Sequence, residues 1–170
     1  NGTWPLWNPY SYAGYPLLAN FNSGPLNPFN LLLVFLGDIN GWSILVISQT
    51  ILCLISFFIY MRSMKLSEQA SIISSIVFAF SGFCITWLMF VNVGFAMSWL
   101  ALMFYLVEKY LQSKQHKFLY LLSPLIFLLI VSGHFQAVVY GLVFWGLYVL
   151  YRVKPFFNSK VLFHLAFSVS

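Results

Sequence analysis

From Trp42 onward the chain alternates long apolar runs with short polar breaks. The runs fall near 42–60, 70–90, 95–110, 118–132 and 135–151, and a sixth begins near 161. Runs of about this length and apolarity are what a helix needs to cross a hydrocarbon core of about 30 Å. Arg62 and Lys65 end the first run, and Ser67-Glu68 supplies start signals for the second. Val91-Asn92-Val93-Gly94 makes a tight connection to the third. The loop around Lys114 and Lys117 separates the third from the fourth, Gly133-His134 breaks the fourth from the fifth, and Arg152, Lys154 and Lys160 follow the fifth.

The stretch 118–151 also reads as one helix, but that helix would be roughly 50 Å long and would put Lys117 and Arg152 on opposite sides. A hairpin at Gly133-His134 is the better prediction. Its first limb reaches only about 22 Å, so the turn is expected to lie below the membrane surface. Non-helical backbone at that depth is tolerated where protein buries it or where it lines a wet cavity. Pro124 is a potential kink in the same limb.

Residues 1–41 have a different texture. They hold five of the seven prolines and five of the ten glycines, many aromatic rings, and no Lys or Arg. Such a segment cannot form one long helix, and its rings with Asn and Pro suit a membrane–water interface. Pro28–Leu36 reads as a short helix capped by Asn27, and Gly37-Asp38-Ile39-Asn40-Gly41 as a turn.

Composition narrows the class further. Of the 170 residues 61% are hydrophobic and 6% charged, and mean hydropathy is +0.88. So few charges exclude an ordinary soluble enzyme, a nucleic-acid-binding domain and a disordered tail. The predicted class is an all-α polytopic transmembrane protein with about five complete spans behind an extracytoplasmic loop. If spans alternate, all eight Lys and Arg fall on one side. The positive-inside bias makes that side cytoplasmic, with residues 1–41 and the 133–134 turn extracytoplasmic. Topology thus explains a pI near 9.3 without nucleic acid as a partner. The lack of an initiator Met and the opening inside a loop suggest a piece of a longer chain.

Few residues carry candidate chemistry. His134 and Gln136 sit at the expected sunken turn, where an ionisable side chain is a functional candidate by default. They could bind a phosphate or a sugar hydroxyl, or simply tie down the carbonyls of two helix ends. Trp7, Asn8, Tyr10 and Asn20 combine rings with amides, a pairing suited to sugars and equally to a rigid aromatic belt. Asp38, the lone acid on the loop side, is a weak candidate for a general base and a better one for a turn or cap. Glu68 and Glu108 read as solvated ends beside basic residues, and Cys53 and Cys84 as packing residues. Asn1-Gly2-Thr3 matches a glycosylation sequon, a pattern that arises often by chance; His116 lies in a basic loop and His164 enters the last run. The pattern contains no metal site, phosphate-cradling loop or nucleophile elbow.

Gly2-Thr3-Trp4-Pro5-Leu6-Trp7-Asn8-Pro9-Tyr10, followed by Gly14-Tyr15-Pro16-Leu17-Leu18-Ala19-Asn20, resembles the first external loop of bacterial YfhO-type membrane proteins. Pro25-Leu26-Asn27-Pro28, Phe80-Ser81-Gly82 and Gly133-His134-Phe135-Gln136 resemble later motifs of that family, in the same order. Two positions depart from it: Phe135 stands where the family has Pro, and Trp99-Leu100-Ala101-Leu102 lacks an expected Pro. The resemblance implies a GT-C-type glycosyltransferase with an extracytoplasmic active site. Such an enzyme takes a sugar from a polyprenyl-phosphate donor and passes it to a hydroxyl on a cell-envelope polymer, such as teichoic acid, or on another lipid or protein. It implies a catalytic acid upstream of Asn1, substrate contacts at Trp7, Asn8, Tyr10, Asn20, His134 and Gln136, and no cofactor beyond a divalent metal that such folds sometimes hold. The competing expectations are a transporter or lipid flippase, and a non-catalytic scaffold.

Overall fold

The computed structural model describes residues 6–11 and 13–153. The sixth run near 161, Lys154, Lys160, His164 and the first five residues lie outside them.

The described chain is mostly helical. A two-residue hairpin comes first: β1 (Trp7–Asn8) pairs antiparallel with β2 (Tyr15–Pro16), Trp7 opposite Pro16 and Asn8 opposite Tyr15. Asn27 then caps a 3-10 turn at Pro28–Asn30 through its Oδ1, which accepts from the Phe29 N–H at 3.1 Å. The turn runs into α1 (Leu31–Leu36). Within Gly37–Gly41 only Gly37 turns, at φ 74°, and α2 (Asp38–Ser63) starts immediately after it. Residues 38–41, expected in a turn, are helical. A Cβ on Gly41 would lie 2.8 Å from the Leu32 carbonyl oxygen and Leu33 Cα, so the bare glycine lets α1 fold back onto the first turn of α2.

The second apolar run is broken. Helix α3 (Glu68–Ala79) stops at Phe80, and Ser81 starts α4 (Gly82–Thr86) by accepting from the Cys84 N–H. A 3-10 turn at Leu88–Phe90 completes the passage. The serine hydroxyl gives the chain an alternative to the helical ladder at Phe80-Ser81. Gln49, fully buried in α2, donates from Nε2 to the Leu88 carbonyl at 2.8 Å and holds the turn in place.

Helix α5 (Val93–Ser113) is the central element. It packs against α2, α7 (Leu122–Val131) and α8 (Phe135–Val153), and its Val93, Phe95 and Met103 are fully buried. The short α6 (Lys117–Tyr120) leads into α7. Among the described residues three elements are long and apolar enough to cross a membrane: Asp38–Ser63, Glu68–Thr86 and Phe135–Val153. Hydropathy predicts five. Lys117–Val131 is apolar but shorter, and α5 carries Glu108 and Lys109 in its last turns.

Opposite ends of the bundle differ in character. At one end Gln112 Nε2 donates to the Ser63 carbonyl at 2.7 Å, tying α5 to α2. Arg152 of α8 binds Glu108 of α5 through Nε and an NH group, both at 2.6 Å, and Tyr148 donates to the same carboxylate. Glu108 is only 1% exposed, which corrects its reading as a solvated helix end. The chain positions Glu108 and Arg152 where two parallel helices, α5 and α8, end together, and the pair satisfies a charge that would otherwise be buried alone. At the other end the loop before α1 closes over the α7–α8 turn.

Candidate functional site

Three segments meet where that loop lies on the turn. The first is Asn20–Gly24. Asn20 Oδ1 accepts from the Asn22 N–H at 3.2 Å, and Gly24 closes the turn in the left-handed region at φ 50°. The second is Trp87–Asn92, held by Gln49. The third is Ser132–Gln136, between α7 and α8. Gly133 takes φ 91°, and a Cβ there would sit 3.1 Å from Gly24 Cα. Two glycine backbones therefore touch where the loop lies on the turn. Asn92 ties the second segment to the third, donating from Nδ2 to the Gly133 carbonyl at 3.2 Å. Phe21 meets Phe135 edge-on, with ring centroids 5.7 Å apart.

Between these segments is a cavity of about 440 Å³. Its walls carry Asn22, Asn92, Gln136 and His134 as polar groups and Trp87 and Phe90 as rings, with Phe135 alongside. His134 is 9% exposed and caps α8: its Nδ1 accepts from the Ala137 N–H at 3.1 Å. An N–H needs a lone pair to receive it, so Nδ1 is unprotonated and the ring's proton is on Nε2. The Trp87 ring lies edge-on to the imidazole at 5.0 Å.

The other sequence-derived candidates are elsewhere. Trp7 covers Gly14, where a Cβ would come within 2.6 Å of its ring. Asn8 Oδ1 accepts from the Tyr10 N–H at 2.9 Å, and the Tyr10 ring is 93% exposed. Asn20 is engaged as a cap and, with Leu18, Phe21 and Ile130, borders a smaller pocket of about 150 Å³ between the loop and α7. None of Trp7, Asn8, Tyr10 and Asn20 lines the larger cavity. Asp38 is exposed at the start of α2 and borders a separate open groove with Leu33, Ile39 and Trp42. Among the described residues no three His, Cys, Asp or Glu side chains group as a metal site.

Sequence reasoning missed Asn22, Trp87 and Asn92 as site residues. Only Asn92, an amide in an apolar stretch, carries a sequence signal. Below the cavity, on the same central helix, lies an apolar groove of about 470 Å³. Leu100 and Phe104 of α5 line it together with Phe57, Phe78, Phe144 and Tyr148. Comparison with protein-family models, curated proteins and solved structures finds no match for this chain.

Proposed function

We propose that the chain is part of a GT-C-type membrane glycosyltransferase of the YfhO kind. It transfers a sugar from a polyprenyl-phosphate donor to a cell-envelope acceptor, teichoic acid or similar, on the extracytoplasmic face. The observation that carries this reading is the cavity where the amides Asn22, Asn92 and Gln136 converge with His134 beside the Trp87 ring. Amides and an imidazole N–H exchange hydrogen bonds with sugar hydroxyls, and a ring supports an apolar sugar face. The groove adds support. Asn92 and Leu100 are eight residues apart on or beside α5, about 12 Å along the axis. A donor with a polar head and a hydrocarbon tail needs both surfaces at about that spacing. The catalytic base of this reading is expected upstream of Asn1, and Asp38 does not replace it.

His134→Ala tests the reading. The expected outcome is loss of sugar from the envelope polymer with the protein still present in the membrane. His134 also caps a helix, so His134→Asn is the necessary companion. Asn is a good N-cap, so this variant keeps the fold while removing the imidazole. Loss of transfer in both variants supports the reading; recovery in His134→Asn reduces His134 to a cap.

A second reading has its own observation. The α3–α4 break at Phe80-Ser81 and the α7–α8 turn at Gly133-His134 are two interrupted apolar segments, a pattern found in transporters and flippases. Among the described residues no acidic side chain lines the cavity. Loss of lipid or solute movement in His134→Asn, with envelope sugar unchanged, would favour transport.

A further inference from the structure

We propose that the cavity beneath the loop holds the neutral pyranose ring of a sugar and excludes the phosphate of its carrier. This deepens the transferase reading and rests on it for the source of the sugar. The argument is one of charge. The sequence has no Lys or Arg before Arg62, between Lys65 and Lys109, or between Lys117 and Arg152. Each cavity-lining residue comes from one of those stretches. Among the described residues the walls thus present three neutral amides, three aromatic rings and one imidazole. That imidazole already spends one nitrogen inside the protein, its Nδ1 accepting the Ala137 N–H.

One feature favours an anion. The N-terminus of α8 is at this turn, and a helix dipole improves anion binding by about two- to fivefold at an exposed end. Moving a phosphate out of water with no cation opposite it weakens binding by several orders of magnitude. The second effect wins. A sugar ring carries no such penalty: its hydroxyls both donate and accept, as the three amides do, and its C–H face suits Trp87 or Phe90.

The test uses the full chain in lipid nanodiscs and saturation-transfer NMR. The probes are methyl glycosides of glucose, galactose, mannose and N-acetylglucosamine, the farnesyl-phosphoryl forms of the same sugars, farnesyl phosphate, and inorganic phosphate. At least one neutral glycoside is expected to bind saturably, with no change between low and high salt. Asn22→Ala should weaken it by about two- to tenfold, the loss of one hydrogen bond. The Asn22 side chain is exposed, so this variant retains the fold. Tighter binding of a farnesyl-phosphoryl sugar than of its methyl glycoside assigns the ring to the lipid carrier; equal binding assigns it to a polymer or free sugar. Competition by inorganic phosphate, or by farnesyl phosphate with a strong salt dependence, would overturn the proposal. So would absence of binding by every sugar in the set. Sugar binding without envelope transfer would leave this site assignment standing and remove the transferase. Transfer without glycoside binding would do the reverse.

Discussion

Gly133 shows how much of the site depends on single atoms. Its φ of 91° suits glycine, and a Cβ there would crowd the loop, 3.1 Å from Gly24 Cα and 3.3 Å from the Phe21 carbonyl oxygen. Gly133→Ala therefore combines backbone strain with displacement of the loop, and the strain alone costs on the order of 1–3 kcal/mol. A lower unfolding temperature is expected, together with faster proteolysis within residues 17–30. A variant with unchanged Tm and unchanged proteolysis would show that the loop does not rest on the turn. His134 links this backbone to chemistry. One nitrogen closes α8, which leaves the other as the ring's single donor.

At the scale of elements, α5 organises the bundle and its two ends do different work. Its start is beside Asn92 and the cavity, and its last turns hold Glu108 against Arg152 and Tyr148 of α8. The ion pair is asymmetric: the Glu108 side chain is 1% exposed and that of Arg152 37%. Removing the arginine strands a carboxylate away from water, whereas removing the carboxylate leaves a guanidinium that still reaches solvent. Arg152→Ala is thus expected to destabilise by about 3–5 kcal/mol, the usual range for breaking a buried pair. Glu108→Gln keeps an acceptor for the tyrosine hydroxyl and should be milder. Thermal unfolding of both variants in one detergent checks the order, and a larger loss in Glu108→Gln would contradict it.

The described residues form a bundle whose loop end carries Asp38 but no Lys or Arg and whose opposite helix termini are basic. Alternating passage through a membrane would put Tyr10 on one side and Lys117 on the other. Both side chains are exposed, and the native thiols Cys53 and Cys84 are buried. A membrane-impermeant maleimide added to intact cells is expected to label Tyr10→Cys and to spare Lys117→Cys until the cells are opened. Labelling of both before opening, or of Lys117→Cys alone, would refute the sidedness inferred from the basic residues.

Sequence alone determined what depends on local chemistry and on hydropathy. It marked the helical character with apolar helices long enough to span a membrane, the Asn27–Pro28 helix start, the break at Gly133-His134 and the clustering of basic residues between alternate runs, because capping, turn formation and hydropathy are set by a residue and its near neighbours. It also singled out His134 and Gln136, since a polar group in an apolar run stands out without a fold. Other features were decided by tertiary packing. The start of α2 at Asp38 depends on α1 lying against Gly41, a contact with the preceding helix. The burial of Glu108 depends on Arg152, forty-four residues away. Asn22, Trp87 and Asn92 become one site only because Gly24 and Gly133 bring two backbones into contact and Gln49 anchors the Leu88 turn. Trp7, Asn8 and Tyr10, dense in sequence, lie outside that cavity for the same reason: proximity along the chain gives local turns, and a cavity forms where distant segments meet.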